Sequence, residues 1–125
     1  MILIRKGKWK ELVVTGFFFF FVLFLCFVLS CYSVEQSRRY IPTFESKGKV
    51  LFFYREDCRD CQLVFPYVYA RNLFCKDTVF VNLNEPLNRK VYLSVYDISF
   101  VPTLVNGDVS YSGTNFENVF SVYAK

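Results

Sequence analysis

The side chains with the clearest chemical potential in this sequence are cysteines. Cys58 and Cys61 are separated by two residues, a spacing that allows a disulfide between their thiols. Zinc sites use the same spacing but need two further ligands, and Cys75 is the one other cysteine outside the apolar N-terminal stretch. The chain has no histidine, which excludes Ser/His/Asp and Cys/His catalysis. We therefore expect thiol–disulfide chemistry without a metal or cofactor, with a zinc site and a purely structural disulfide as the alternatives.

The residues around this pair predict a strand before it and a helix after it. Val50–Tyr54 is an apolar and aromatic run, typical of a strand that is buried on both faces. Apolar residues then recur with helical spacing, so we expect a helix from Cys58 to about Asn72, with Asp57 as its N-cap. A helix N-terminus stabilises an anion, which favours a thiolate there. The first cysteine is the predicted nucleophile, and Cys61 is the predicted resolving thiol.

The rest of the C-terminal region predicts a second strand, a helix, a hairpin and a last helix. Asn106-Gly107 is the strongest hairpin signal in the chain. Strands separated by helices imply a parallel pair, and a hairpin adds antiparallel strands. We therefore predict an α/β fold with a mixed central sheet flanked by helices. The predicted elements are a strand over 78–83, a helix over 88–96, hairpin strands over 101–105 and 108–112, and a helix over 115–124 capped by Thr114.

An uncharged apolar stretch, residues 12–34, precedes this region and includes five consecutive phenylalanines. A helix needs roughly 20 apolar residues to cross a bilayer, so the stretch predicts a transmembrane anchor or an uncleaved signal. Most of the formal net charge of +4 belongs to residues 1–11, which indicates a membrane flank and no nucleic-acid partner. Basic flanks stay cytoplasmic. We predict a single-pass cell-membrane protein with a cytoplasmic N-terminus, a tether over 35–48 and an extracytoplasmic domain over 49–125.

Two alternatives for the apolar stretch remain open. Val28–Cys31 resembles a bacterial lipobox, in which case Cys31 would carry a lipid. A cleaved signal is the other alternative, although the stretch has no Ala-x-Ala pattern. All three interpretations deliver the C-terminal domain to the outer face of the membrane.

The segment Phe52–Pro66, FFYREDCRDCQLVFP, resembles the active-site segment of the thioredoxin superfamily. That family has an aromatic strand, Cys-x-x-Cys at a helix start and a proline five residues after the second cysteine, here Pro66. Val101-Pro102-Thr103, about forty residues downstream, matches the family's cis-proline before a hairpin. The resemblance covers roughly Lys49 to the C-terminus and implies a minimal thioredoxin-like fold.

The resemblance also implies roles for individual residues. Cys58 matches the attacking cysteine and Cys61 the resolving cysteine of a redox-active disulfide. Pro102 matches the cis-proline, and the Val101 backbone would pair with an extended substrate in β fashion. An ordinary turn before an edge strand is the alternative for the proline.

The active-site segment also departs from thioredoxin. Phe52 stands where thioredoxin has a buried aspartate that helps to move protons from the resolving thiol. The dipeptide between the cysteines is Arg59-Asp60, in place of Gly-Pro. Arg59 should stabilise the first thiolate, while Asp60, Asp57 and Glu56 oppose it. These charges nearly cancel and do not set the redox potential, whereas Phe52 and an outward-facing domain favour the formation or isomerisation of disulfides over general reduction.

The combination of an anchor with a short domain resembles small membrane-anchored thioredoxin-like proteins of Gram-positive bacteria, the bacteriocin-associated accessory type. We therefore predict an extracytoplasmic thiol–disulfide oxidoreductase that acts on cysteines of exported peptides or proteins, together with a membrane redox partner. A tethered reductase and a non-catalytic peptide-binding module are the alternatives. Cys75 is either a small buried residue or a third redox cysteine.

Overall fold

The long N-terminal helix and the C-terminal region fall into two compact units, which divide between Ser33 and Val34 and are described separately. The structure, a computed structural model, describes residues 6–124. Helix α1 spans Lys6–Gln36, and its part from Gly7 onwards is long and apolar enough to cross a membrane, by length and composition. An α-helix satisfies its backbone hydrogen bonds internally, as a lipid environment requires. The first five residues of the predicted basic flank lie outside the described residues.

The C-terminal unit contains the predicted order of strand, helix, strand, helix, hairpin and helix. The boundaries agree with the prediction within about two residues, apart from those discussed below. The elements are β1 (Val50–Tyr54), α2 (Arg59–Cys75), β2 (Thr78–Asn82), α3 (Pro86–Val95), β3 (Thr103–Asn106), β4 (Val109–Ser112) and α4 (Phe116–Ser121), with 3₁₀ turns at Thr43–Ser46 and Val122–Ala124.

Two helix ends differ from the prediction. Helix α2 continues to Cys75, beyond the predicted end at Asn72, and it stops where Lys76 takes a left-handed conformation with φ 52°. The last helix is shorter than predicted because its final three residues form a 3₁₀ turn. Its N-cap is Asn115 and not Thr114, since the Asn115 side chain accepts a hydrogen bond from a backbone N–H in the first turn.

The four strands form one mixed sheet in the order β2-β1-β3-β4. Strand β1 is central, parallel to β2 and antiparallel to β3, so Phe52 lies between Phe80 and Leu104. The hairpin between β3 and β4 turns at Asn106-Gly107, as predicted, and Gly107 has φ 64°, which glycine adopts without steric cost. The predicted α/β fold with a mixed central sheet is therefore confirmed.

Strand β1 is buried along its whole length, which explains its continuous apolar sequence. Successive side chains point to opposite faces of the sheet. Phe52 packs against Phe65 of α2, with ring centroids 5.9 Å apart, and Phe53 packs against Tyr92 of α3 at 5.6 Å. Full burial of each phenylalanine contributes about 2–3 kcal/mol. The strand is thereby fixed between α2 and α3, and its end presents the cysteine segment.

Part of the segment predicted as a tether, residues 35–48, is bound to the domain. The Asn88 side chain of α3 donates to the Arg39 carbonyl at 2.9 Å and accepts from the Ile41 N–H at 2.9 Å. The Tyr92 hydroxyl donates to the Ile41 carbonyl at 2.8 Å. The Ile41 side chain is 4% exposed and belongs to the core cluster that contains Phe53. The folded part therefore includes residues before β1.

Candidate functional site

The two cysteines lie at the start of α2, where the sequence placed them, but the helix begins differently from the prediction. Cys58 is the N-cap, and its Sγ accepts the Cys61 backbone N–H at 3.2 Å. The prediction of Asp57 as the cap was wrong, because its carboxylate instead accepts from the Asn84 side chain at 2.9 Å. The Cys58 thiol also lies 3.8 Å from the Val101 carbonyl, to which it donates. The Cys58 sulfur is thus held between the helix start and the loop over residues 96–102, called the proline loop below.

The two thiols differ in exposure and electrostatics. Cys58 is partly exposed, while Cys61 is fully buried. Burial raises the pKa of the Cys61 thiol well above its usual range, and the hydrogen bond with Cys58 adds to this. The backbone and the charge of Arg55 oppose that rise. The pair therefore combines an accessible Cys58 sulfur with a shielded Cys61 thiol that holds its proton.

The proline loop faces the cysteines as the sequence predicted. The Val101–Pro102 peptide bond is cis. Two hydrogen bonds hold the end of the loop and the start of β3 against the end of β4, one from the Gly113 N–H to the Pro102 carbonyl at 3.1 Å and one between Thr103 Oγ1 and Ser112 Oγ at 2.6 Å. A role for Val101 and Pro102 in substrate binding stays a prediction.

The segment between β1 and the cysteines is held by Glu56, whose carboxylate is buried. Its oxygens accept from Arg38 at 2.5 Å, from Asn82 at 2.6 Å and from Asn84 at 2.8 Å. Gln62 of α2 donates to the Glu56 carbonyl at 2.9 Å. Burial alone raises the pKa of Glu56, and the hydrogen bonds outweigh it and hold the pKa at about 2. From the sequence we expected Glu56 only to oppose a thiolate at Cys58 by its charge. In the structure the Glu56 carboxylate forms an ion pair with Arg38, which offsets that charge.

The residues expected to modulate the thiolate are exposed. Arg59 and Asp60 lie in the first turn of α2, between the cysteines, with both side chains at the surface. Arg55 was not predicted, although its charge bears on both Cys61 and Asp57. Its position at the end of a strand that leads into the cysteine pair is the signal that could have identified it.

An aromatic cluster fills the position at which the resemblance to thioredoxin would place a buried aspartate. Phe52 is fully buried and stacks on Tyr54, with ring centroids 5.6 Å apart. The chain therefore has no carboxylate at this position to accept a proton from the Cys61 thiol. Cys75, at the end of α2, is exposed, so the prediction that it is a small buried residue was wrong.

A cleft of about 340 Å³ opens beside Cys58. Its walls come from the end of β1, from α3 and from the segment before Pro102. The lining residues are Arg55, Cys58, Leu83, Arg89, Leu93, Ile98, Ser99, Phe100 and Val101. Sequence reasoning identified only Cys58 and Val101 among them, because Arg89 and the apolar residues carry no local motif. Within residues 6–124, no cluster of three or more His, Cys, Asp or Glu side chains could hold a metal ion.

A scan against protein-family models and a search of curated proteins find no match to this chain. The structure therefore defines the class. It is a small α/β domain with a mixed four-stranded sheet, preceded by a helix able to span a membrane. The Cys58–Cys61 pair at Cys-x-x-Cys spacing is compatible with a thioredoxin-like fold and with thiol–disulfide chemistry.

Proposed function

We propose that this protein is a membrane-tethered, thioredoxin-like oxidoreductase that forms or isomerises disulfides in exported peptides or proteins. The observation that supports this most directly is the pairing of an accessible Cys58 sulfur with a buried Cys61 sulfur beside the cis-proline loop. A purely structural disulfide would not need one exposed partner in contact with a helix N-terminus and a loop carbonyl.

Disulfide formation follows from this geometry in two exchanges. A substrate thiolate attacks Cys58 Sγ of the protein disulfide, and Cys61 leaves as a thiolate that takes up a proton. A second substrate thiolate then attacks the substrate sulfur of the mixed disulfide, and Cys58 leaves as a thiolate. Two electrons pass from the substrate thiols to the protein. A disulfide on a membrane redox partner takes those electrons and restores the Cys58–Cys61 bond.

Isomerisation begins instead from the reduced protein. The Cys58 thiolate attacks a wrongly paired substrate disulfide and releases one substrate thiolate. A different substrate thiolate then displaces Cys58, so no electrons are transferred overall. Cys58 is the leaving group in disulfide formation and the nucleophile in isomerisation, and in both reactions its sulfur lies at the helix start, where the Cys61 N–H donates to it.

The full chain in detergent micelles provides the test. Refolding of reduced ribonuclease and reduction of insulin are measured for the wild type, Cys58→Ser and Cys75→Ser. We expect Cys58→Ser to abolish the refolding activity and the matched Cys75→Ser control to retain it. Refolding at the wild-type rate by Cys58→Ser would refute catalysis and leave a peptide-binding module. Insulin reduction without refolding activity would identify a reductase. The Cys61→Ser variant should accumulate mixed disulfides, which name the substrates.

A further inference from the structure

The cleft beside Cys58 combines two basic side chains with an apolar surface. Leu93, Ile98 and Phe100 form its apolar part, and Phe100 is 74% exposed. Arg55 and Arg89 form its basic part, and no acidic side chain among the described residues lines it. An exposed phenylalanine next to a reactive cysteine offers area for an apolar side chain of a substrate.

The two arginines are available to a ligand. Within residues 6–124, the ion pairs involve Arg38, Arg39 and Arg71, and neither cleft arginine forms one. The Arg89 Nε donates to the Leu83 carbonyl at 2.9 Å, which fixes the orientation of its guanidinium group. The charge of Arg55 acts on the exposed Asp57, whose carboxylate accepts a hydrogen bond from Asn84, and the adjacent Glu56 carboxylate is paired with Arg38.

We propose that this cleft selects cysteine peptides that carry an acidic side chain and an apolar side chain close to the reacting cysteine. The inference rests on the proposed function, since it names the substrate class of the same site. Cys58 and Val101 both line the cleft, so a peptide cysteine that reaches Cys58 brings its neighbouring side chains to the walls of the cleft. A guanidinium group binds a carboxylate with two parallel hydrogen bonds. A small acidic thiol could contact the two arginines, but it would have no side chain to pack against the apolar residues of the cleft.

The test compares two octapeptides, each used as a symmetric disulfide dimer. Both peptides have a Leu on one side of the cysteine, and they differ only on the other side, where one has Glu and the other has Gln two residues from the cysteine. The reduced full chain in micelles reacts with each dimer in a single turnover, and acid-quenched products are separated by chromatography. The protein dithiol becomes a disulfide, and each dimer becomes two peptide thiols. For the wild type we expect the Glu peptide to react about twofold to thirtyfold faster at low salt, the range for two exposed ion pairs. The preference should shrink in 0.5 M salt, because salt screens exposed charges.

The variants test the arginines directly. Arg89→Gln should reduce the preference, and Arg55→Gln with Arg89→Gln should bring it to about one. Lys90→Gln removes the same charge from the next residue of α3, outside the cleft, and should leave the preference unchanged. Arg89→Lys should keep a part of it. A ratio of two rates on one preparation is independent of the folded fraction.

Each outcome separates a failure of this inference from a failure of the proposed oxidoreductase function. If the wild type reacts with both peptides at the same rate, or if the double variant keeps the wild-type preference, the inference is wrong and the oxidoreductase function stands. If the wild type reacts with neither peptide faster than Cys58→Ser does, both are wrong. A preference for the Glu peptide that Lys90→Gln also removes would assign the effect to overall charge and overturn the role of the cleft.

Discussion

The Glu56 carboxylate should make a pH-dependent contribution to stability that Glu56→Gln removes. The carboxylate is buried and is bound by Arg38, Asn82 and Asn84, which hold its pKa at about 2 against an ordinary value of 4.5. Glutamine has the same shape but turns an amide NH₂ toward donors that have lost their acceptor. A buried donor without a partner costs about 1–3 kcal/mol.

The magnitude follows from the two pKa values. At ~1.36 kcal/mol per pKa unit, the difference between 4.5 and about 2 corresponds to about 3 kcal/mol. Arg38 is 59% exposed, so solvent screening lowers the expected contribution to about 2 kcal/mol. The folded-state pKa lies below the unfolded one, so the contribution is fully present above about pH 5 and is lost as the pH falls from 4.5 to 2.

The free energy of unfolding is measured by urea unfolding of the full chain in micelles at pH 7 and pH 2.5. Near-ultraviolet circular dichroism of the buried tyrosines follows the transition. Glu56→Gln should be less stable than the wild type by about 2 kcal/mol at pH 7, and the difference should largely disappear at pH 2.5. Glu45→Gln is the matched control, since Glu45 pairs with the exposed Arg39 and should cost less than about 1 kcal/mol. A difference between Glu56→Gln and wild type that is the same at both pH values would refute the reasoning.

Two further predictions concern the thiols and a turn. Iodoacetamide at pH 7 should label Cys58 much faster than Cys61, because Cys61 is buried and its raised pKa keeps it protonated; equal rates in mass-spectrometric mapping would contradict the site geometry. Gly113→Ala should lower the free energy of unfolding by about 1–3 kcal/mol, since Gly113 has φ 141° and a Cβ would lie 2.7 Å from the Tyr111 hydroxyl oxygen. Gly48→Ala is the control, because Gly48 also has a positive φ but no heavy atom lies within 4 Å of its Cβ position. If urea unfolding gives the same loss for both variants, the Tyr111 side chain moves aside and adds no cost at Gly113.

The elements that could be predicted from the sequence are those with local causes. The continuous apolar run of β1 requires burial on both faces, and Asn106-Gly107 requires a tight turn, so both were predicted correctly. The α2 N-cap shows where local reasoning fails. Aspartate is a preferred N-cap residue, but the Asp57 side chain is bound by Asn84, which is 27 residues away in the sequence. Cys58 is therefore the N-cap of α2.

The surroundings of the site could not be predicted, because their partners are distant in sequence. Glu56 is bound by side chains 18 to 28 residues away, and no local pattern links them. Arg89 reaches the cleft because α3 packs near the end of β2, where the Arg89 Nε donates to the Leu83 carbonyl. The cysteine pair itself was identified from spacing and context, while its electrostatic environment depends on the tertiary structure.

The sulfur that we propose as the reacting atom also completes the first turn of α2. Its hydrogen bond from the Cys61 N–H satisfies a donor that the helix leaves open. In the proposed function Cys58 alternates between a thiolate and a disulfide sulfur, and a thiolate is the better hydrogen-bond acceptor. The proposed redox cycle is therefore also a cycle of local helix stability, in which the reduced protein has the tighter first turn. Any gain in that turn would draw electrons toward the protein and make its disulfide a stronger oxidant.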